Sequence, residues 1–145
     1  MDRLKLPPHV LIFPFPLQGH MNSMLKLAEL LLLADLHVTF VVTGYTHSRL
    51  LRHTNIQSRF DRYPGFCFQT ISDGLPEEHP RSGDRLRELF DSLKATAESL
   101  LKEFLVSDRL TTNSTHRPVT CIIADGILGF AIDVAEEIGI PIIYF

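Results

Sequence analysis

One histidine and one aspartate follow two separate apolar runs, in positions where their side chains could share a proton. His20 comes shortly after the run from Val10 to Phe13, and Asp125 comes directly after the run from Val119 to Ala124. A carboxylate that accepts a hydrogen bond from one imidazole nitrogen leaves the other nitrogen free to take a proton. The two residues could therefore deprotonate a hydroxyl, provided that the fold brings them together.

The segment around His20 predicts a buried strand, a turn and a long helix. Val10 to Phe13 are all apolar and rich in β-formers, which is typical of a strand buried on both faces. From Met21 to Leu36, apolar residues recur every three or four positions and predict a helix. The intervening turn puts His20 at the mouth of that helix, where open parallel α/β sheets place their chemistry.

The same alternation of strand and helix continues along the chain. Further strands are predicted at His37–Val42, Phe66–Ile71, Val119–Ala124 and Pro141–Phe145, and further helices at Ser48–Gln57, Asp84–Val106 and Ile127–Ile138. This alternation predicts an α/β fold, a Rossmann-like parallel sheet with helices on both faces, and right-handed crossovers favour the strand order 3-2-1-4-5. Strands one and four are then neighbours, so that His20 and Asp125 are expected at the same edge of the sheet.

Composition and charge restrict the classes of function. With 145 residues, 45% of them hydrophobic, the chain can form one domain with a substantial core. A net charge of −3 gives no electrostatic footprint for nucleic acid. The basic cluster Arg49, Arg52, Arg59 and Arg62 is interleaved with apolar residues and is interpreted as a solvated helix face. No apolar run is long enough to span a membrane.

Other features of the sequence argue for a cytoplasmic protein without a metal or nucleotide cofactor. Cys67 and Cys121 lie in apolar, strand-like runs, which favours buried, reduced thiols and a cytoplasmic location. The remaining six histidines show no metal-ligand spacing and are interpreted as structural or solvent-facing. The dinucleotide, Walker and α/β-hydrolase motifs are all missing from the sequence.

Two structural alternatives for the predicted pair remain open at this stage. Asp125 could be an N-cap, whose carboxylate accepts hydrogen bonds from the first N–H groups of the following helix. His20 could be a surface or capping residue of its turn. The predicted position of both residues at the switch point of the sheet is what favours a functional pair over these alternatives.

Several ordered motifs resemble the N-terminal half of the plant UDP-dependent glycosyltransferases. The segments are PFPLQGHMNSMLKLAELL after the first strand, SDGLP after the third, and CIIADG followed by FAIDVAEEIGIPIIYF, and the resemblance runs from His9 to Phe145. It implies a GT-B fold and the inverting transfer of a sugar, usually glucose, from a UDP-sugar without a metal. The implied acceptor is a hydroxyl or carboxyl of a small terpenoid, iridoid or phenolic metabolite.

The resemblance also implies roles for individual residues. His20 matches the general base and Asp125 the carboxylate that orients it. Gln18 and Gly19 match positions near the donor sugar and its phosphates. Phe15, Gly126 and Ile127 match positions that line the acceptor pocket.

The resemblance covers only one domain of a two-domain family. Residues 1–145 are expected to form the N-terminal, acceptor-binding domain, and the apolar ending at Tyr144 and Phe145 indicates the front part of a longer protein. The UDP-sugar signature belongs to the absent C-terminal domain, so the chain alone is expected to be inactive. Alternatives are a non-catalytic small-molecule-binding module or the product of a truncated gene. A flavodoxin-like or response-regulator-like domain fits the strand order, but its phosphate loop and acidic cluster are missing.

Overall fold

A single parallel sheet forms the centre of the structure, a computed structural model that describes residues 8–111 and 116–145. Its strands are β1 (His9–Phe13), β2 (His37–Thr43), β3 (Phe66–Ile71), β4 (Cys121–Ala124) and β5 (Ile142–Tyr144). They pair in the order β3-β2-β1-β4-β5, and every neighbouring pair is parallel. The predicted α/β class and strand order are confirmed.

The strands are connected by helices. These are α1 (Gln18–Leu33), α2 (Gly44–His53), α3 (Ile56–Asp61), α4 (Leu86–Leu110) and α5 (Phe130–Ile138), with one turn of 3-10 helix at Gly83–Arg85 before α4. None of the helices in the described part of the chain combines the length and apolarity needed to cross a bilayer.

Side chains of β1 alternate between two hydrophobic cores, one on each face of the sheet. Val10 and Ile12 belong to a core that includes buried residues of α1 and α3. Leu11 and Phe13 belong to the other core, which is filled by α4 and α5. Because both faces are covered, all five residues of β1 are buried. This explains why the strand is a continuous apolar run and not an alternating one.

The first helix begins three residues earlier than predicted. The sequence places Gln18, Gly19 and His20 in a turn, but the backbone N–H of Met21 donates to the carbonyl of Leu17 at 2.8 Å. This bond closes the first turn of α1 shortly after Pro16. The residues that follow Pro16 in this segment include no further proline, so the helix can begin there. His20 is therefore the third residue of α1, and its direction is fixed by helix geometry.

The helix predicted at Ser48–Gln57 is in fact two helices, α2 and α3. The Thr43 hydroxyl accepts from the Thr46 N–H at 3.2 Å and caps α2, so this helix begins at Gly44. The Thr54 hydroxyl donates to the Leu50 carbonyl at 2.6 Å and accepts from the Ile56 N–H at 3.2 Å. Thr54 thus ends one helix and helps to start the next, an effect that apolar spacing alone does not predict.

The prediction that both cysteines are buried is wrong. Cys67 is exposed on β3, which is an edge strand with a partner on one side only, and Cys121 is half-buried. Both thiols are free, as the sequence predicts.

Leu93 offers a test of the core between α4 and the sheet. Its side chain is fully buried, whereas Leu110 at the end of the same helix is 73% exposed. We expect Leu93→Ala to lower the free energy of unfolding by about 3 kcal/mol, because it leaves a cavity, and Leu110→Ala to change it by less than about 0.5 kcal/mol. Urea denaturation of both variants measures the difference, and equal losses would show that α4 does not pack as described.

Candidate active site

His20 and Asp125 are in direct contact in the folded chain. The pairing of β1 with β4 sets Phe13 opposite Ala124, so the segments that follow the two strands leave the sheet side by side. The Nδ1 atom of His20 is hydrogen-bonded to Oδ2 of Asp125. The His20 side chain is 45% exposed and the Asp125 side chain 8%, so a nearly buried carboxylate holds an accessible imidazole.

The Asp125 carboxylate is fixed by backbone groups as well as by His20. Its Oδ2 accepts from the Phe15 N–H at 3.3 Å, and its Oδ1 accepts from the Ile127 N–H at 3.2 Å. The Asp125 N–H donates to the Phe13 carbonyl at 3.0 Å. The N-cap of α5 is Gly129, so the alternative that Asp125 caps this helix is wrong. The carboxylate instead joins the two segments that follow β1 and β4.

The contact determines which nitrogen of the neutral His20 ring carries the proton. An ionised carboxylate only accepts hydrogen bonds, so Nδ1 must donate and the lone pair must lie on Nε2. The Phe15 ring packs edge-on to the imidazole, with 6.2 Å between ring centroids, and supports it from one side. A ring held in this way can accept a proton at Nε2.

A cleft of about 300 Å³ opens beside the imidazole, and we call it the His20 cleft. Three residues of the first two turns of α1, namely Gly19, Ser23 and Met24, line it together with His20. Asp125 and Phe145 complete the lining. The structure therefore brings Gly19 together with the predicted pair. A Cβ atom added at Gly19 would meet no atom within 4 Å, so the backbone is open to the cleft at this point.

The other four predicted site residues do not line the His20 cleft. Gln18 is exposed and lines a different cleft on the opposite side of α1. Phe15 is fully buried and packs against Phe90, with 6.3 Å between ring centroids. Gly126 and Ile127 are exposed at the start of the segment between β4 and α5. The predicted acceptor-pocket role of Phe15, Gly126 and Ile127 remains a prediction.

Metal binding has no support in the described ranges, 8–111 and 116–145. Within them, no group of three or more His, Cys, Asp or Glu side chains is arranged to hold an ion. Three of the other histidines have structural partners. His9 contacts the Thr39 hydroxyl at 2.7 Å, His79 contacts Glu88 at 2.8 Å and His116 contacts Asp108 at 2.9 Å.

Nearly the whole chain is similar to known proteins. No protein-family model matches the chain. The chain is 59% identical over 140 residues to 7-deoxyloganetic acid glucosyl transferase of Catharanthus roseus, a match that covers 97% of this chain and 29% of that protein. It is 44% identical to UDP-glycosyltransferase 85A5 of Arabidopsis thaliana, over 95% of this chain and 28% of that protein.

Close homologues of the chain are plant UDP-glycosyltransferases. The solved structure of Arabidopsis thaliana UGT89C1 complexed with UDP-L-rhamnose has the same fold, with a TM-score of 0.73 and 26% identity over 96% of this chain and 36% of that one. The chain spans about 29% of the length of the curated relatives that it matches.

A second cleft lies between α1, α2 and the loop of residues 72–81, and we call it the α2 cleft. Its volume is about 370 Å³. Apolar side chains of all three segments line it, and so do polar groups that include Gln18, Tyr45 and Arg49. Sequence reasoning did not single out this cleft, because part of its wall is a loop without any apolar period.

One wall of the α2 cleft is a buried ion pair between Asp73 and Arg81. Their side chains are 5% and 7% exposed. The guanidinium donates to both carboxylate oxygens, at 2.9 and 3.0 Å, and to the backbone carbonyls of Pro76 and His79 at 3.0 and 2.8 Å. It also lies 4.0 Å from the centroid of the Tyr45 ring. The loop therefore has no regular structure, as predicted, but the contacts of Arg81 hold its two ends together.

The SDGLP motif, residues 72–76, contains a sequence signal for the Asp73–Arg81 wall of the cleft. Gly74 has a φ of +79°, and a Cβ atom there would lie 2.6 Å from the Ser92 hydroxyl and 2.7 Å from Thr96. Only glycine meets both conditions. The Ser92 hydroxyl donates to the Asp73 carbonyl at 2.7 Å, which fastens the loop to α4. The signals in the sequence are Asp73, which directly precedes Gly74, and Arg81, which follows Asp73 by eight residues.

The ion pair predicts a specific dependence of stability on pH. Burial raises the pKa of Asp73, but the hydrogen bonds from Arg81 and from the Leu75 N–H outweigh it and hold that pKa below its ordinary value of 3.8. Stability from the pair is thus complete above pH 3.8 and is lost as the pH falls through the folded-state pKa. We expect Asp73→Asn to cost about 3 kcal/mol of unfolding free energy at pH 7, and less below pH 3.8.

Urea denaturation between pH 7 and pH 3 measures this difference. Asp91→Asn is the matched control, since its carboxylate is 62% exposed on α4 and pairs with Arg87 only at 3.7 Å. The control should differ from the wild-type chain by less than about 0.5 kcal/mol at every pH. A loss for Asp73→Asn that stayed constant down to pH 3 would refute the assigned role of the pair.

Proposed function

We propose that residues 1–145 form the N-terminal, acceptor-binding domain of an inverting sugar transferase. In this proposal His20 is the general base, and the sugar, most simply glucose, passes from a UDP-sugar to a hydroxyl or carboxyl of a small plant metabolite. The contact between His20 Nδ1 and the Asp125 carboxylate carries the proposal. The name of the Catharanthus roseus relative, a glucosyl transferase of 7-deoxyloganetic acid, supports an acceptor of the terpenoid or iridoid acid class over a phenol.

The proposed reaction is a single displacement. The acceptor hydroxyl gives its proton to Nε2 of His20, and its oxygen attacks the anomeric carbon of the sugar. The bond from that carbon to the UDP oxygen breaks, and UDP leaves with the electron pair on the opposite face, which inverts the configuration. Asp125 stays ionised and stabilises the imidazolium that forms, as the carboxylate of a catalytic triad does.

The donor is proposed to approach α1 at its N-terminus. The N-cap residue Leu17 provides no side-chain hydrogen bond, and no acidic residue lies in the first turn. The first N–H groups of the helix are thus available to a phosphate, which the positive end of the helix dipole also favours. Because the chain spans about 29% of its relatives, we propose that most donor contacts come from residues outside these 145, and that the chain alone does not transfer sugar. We propose no metal and a cytoplasmic location.

Removal of the base tests the proposal directly. The chain is joined to the C-terminal part of a UDP-glycosyltransferase relative and assayed with UDP-glucose and a panel of terpenoid and phenolic acceptors. We expect His20→Ala to lower kcat at least about 100-fold, because the acceptor then has no base. His47→Ala is the matched control: this histidine packs on Phe68 at 4.8 Å between ring centroids and lines neither cleft. Equal transfer by His20→Ala and the wild-type protein would refute the proposed base.

Removal of the charge on Asp125 tests the orienting role separately. Asp125→Asn keeps the size of the side chain but removes the negative charge beside the ring, so we expect kcat to fall at least about 100-fold with little change in KM. Asp61→Asn is the matched control, since that carboxylate is exposed and bonded to Gln57 at 2.7 Å. A parallel titration of the 145-residue chain with acceptors and UDP completes the test. Binding of acceptors without transfer in the joined protein would favour a non-catalytic binding module.

A further inference from the structure

The lining of the α2 cleft has an unbalanced positive charge. Among the described residues, Asp73 is the single carboxylate that lines it, and Arg81 already neutralises that carboxylate. Arg49 and His53 line the same cleft. Within residues 8–111 and 116–145, no carboxylate lies within ion-pairing distance of the Arg49 guanidinium.

The four arginines of the basic cluster, Arg49, Arg52, Arg59 and Arg62, have different surroundings in the structure. Arg59 is paired with Glu29, with hydrogen bonds of 3.0 and 2.7 Å, and Arg62 packs over Tyr63. Arg52 is exposed and does not line the α2 cleft. Arg49 is the one of the four arginines that both lines a cleft and has no carboxylate partner within the described ranges.

The α2 cleft holds this cation in a defined place. Arg49 and His53 are four residues apart on α2, so they lie on the same side of the helix. The Arg49 guanidinium is 5.7 Å from the centroid of the Tyr45 ring, and Arg81 stands 4.0 Å from the same ring. The Tyr45 ring therefore lies next to both Arg49 and the arginine of the buried ion pair.

We propose that the α2 cleft binds the carboxylate of a small amphipathic acid, and that Arg49 is the residue that anchors it. A carboxylate matches the paired N–H donors of a guanidinium, and the apolar side chains Leu17, Met21, Leu50 and Leu89 would contact the hydrocarbon part. A volume of about 370 Å³ is within the range of small-molecule pockets.

The position of the cleft relates this site to the proposed reaction. Gln18 and Met21 line the α2 cleft, and each is within two residues of His20 on α1. A molecule that reaches across the N-terminal end of α1 could therefore have its carboxylate at Arg49 and its hydroxyl at His20. Only the description of the ligand as an acceptor rests on the proposed function; binding of the carboxylate does not require transfer.

The test is a comparison of an acid with its neutral ester on the 145-residue chain. Geranic acid and methyl geranate have the same hydrocarbon skeleton and differ in charge. We expect geranic acid to bind about tenfold more tightly, because its carboxylate gains a charge-assisted hydrogen bond that the ester lacks. Dissociation constants come from NMR titrations, in which the amide signals of α2 around Arg49 should shift.

Two variants of α2 assign the effect to one arginine. Arg49→Gln should weaken binding of geranic acid to the level of the ester and leave binding of the ester unchanged. Arg52→Gln removes the same charge from the same helix outside the cleft and should leave both dissociation constants unchanged. Both side chains are exposed, so neither variant should disturb folding. The titration contains no donor and no transfer step, so its result does not depend on the fate of the proposed base.

Three results would overturn the inference. The first is equal affinity for the acid and the ester, and the second is an equal loss of affinity in Arg49→Gln and Arg52→Gln. The third is that UDP displaces geranic acid from the wild-type chain and that Arg49→Gln no longer binds UDP. That result would make the cleft a phosphate site.

Discussion

The parallel pairing of β1 with β4 is the constraint on which the rest of the site depends. It sets Phe13 beside Ala124, and the backbone bond from Asp125 to Phe13 extends the ladder one residue past the strands. The carboxylate of Asp125 then accepts the N–H of Phe15 and reaches His20. A shift of one residue in this register would turn Asp125 to the other face of the sheet, because side chains alternate along a strand.

The first turn of α1 divides the surface above the sheet into two clefts. Successive residues of a helix are about 100° apart, so Gly19, His20 and Ser23 lie on one side and Gln18, Met21 and Asn22 on the other. The side with the imidazole carries the chemistry that can move a proton. The other side faces the loop of residues 72–81, the Tyr45 ring and Arg49, which has no carboxylate partner among the described residues. Catalysis and recognition of an acid can thus be served by neighbouring surfaces of one helix end.

Much of this organisation could be predicted from the sequence because it depends on strong, regular patterns. Continuous apolar runs indicated the buried strands, and the handedness of crossovers then fixed their order and the meeting of His20 with Asp125. Gly139 also ends α5 as predicted, in a left-handed conformation with a φ of +84°. These features follow from periodicity and chirality, which a single sequence displays directly.

The features that sequence reasoning missed depend on single hydrogen bonds or ion pairs between particular residues. The break between α2 and α3 comes from one threonine hydroxyl, and the early start of α1 comes from one backbone bond beyond Pro16. The Asp73–Arg81 pair joins two charges within a loop that has no period at all. Without a repeating pattern, a sequence cannot show which of several charged residues will meet, and so the walls of the α2 cleft became visible only in the structure.

The protonation of the His20 ring is the most direct measure of whether Asp125 controls it. Long-range nitrogen–proton NMR spectra of the 145-residue chain, with the His20 signals identified by their loss in His20→Gln, report which ring nitrogen carries the hydrogen in the neutral form. The contact with the carboxylate requires a protonated Nδ1 and an unprotonated Nε2. A ring protonated at Nε2 instead would contradict the account, since it could neither donate to Asp125 nor accept a proton on the side of a substrate.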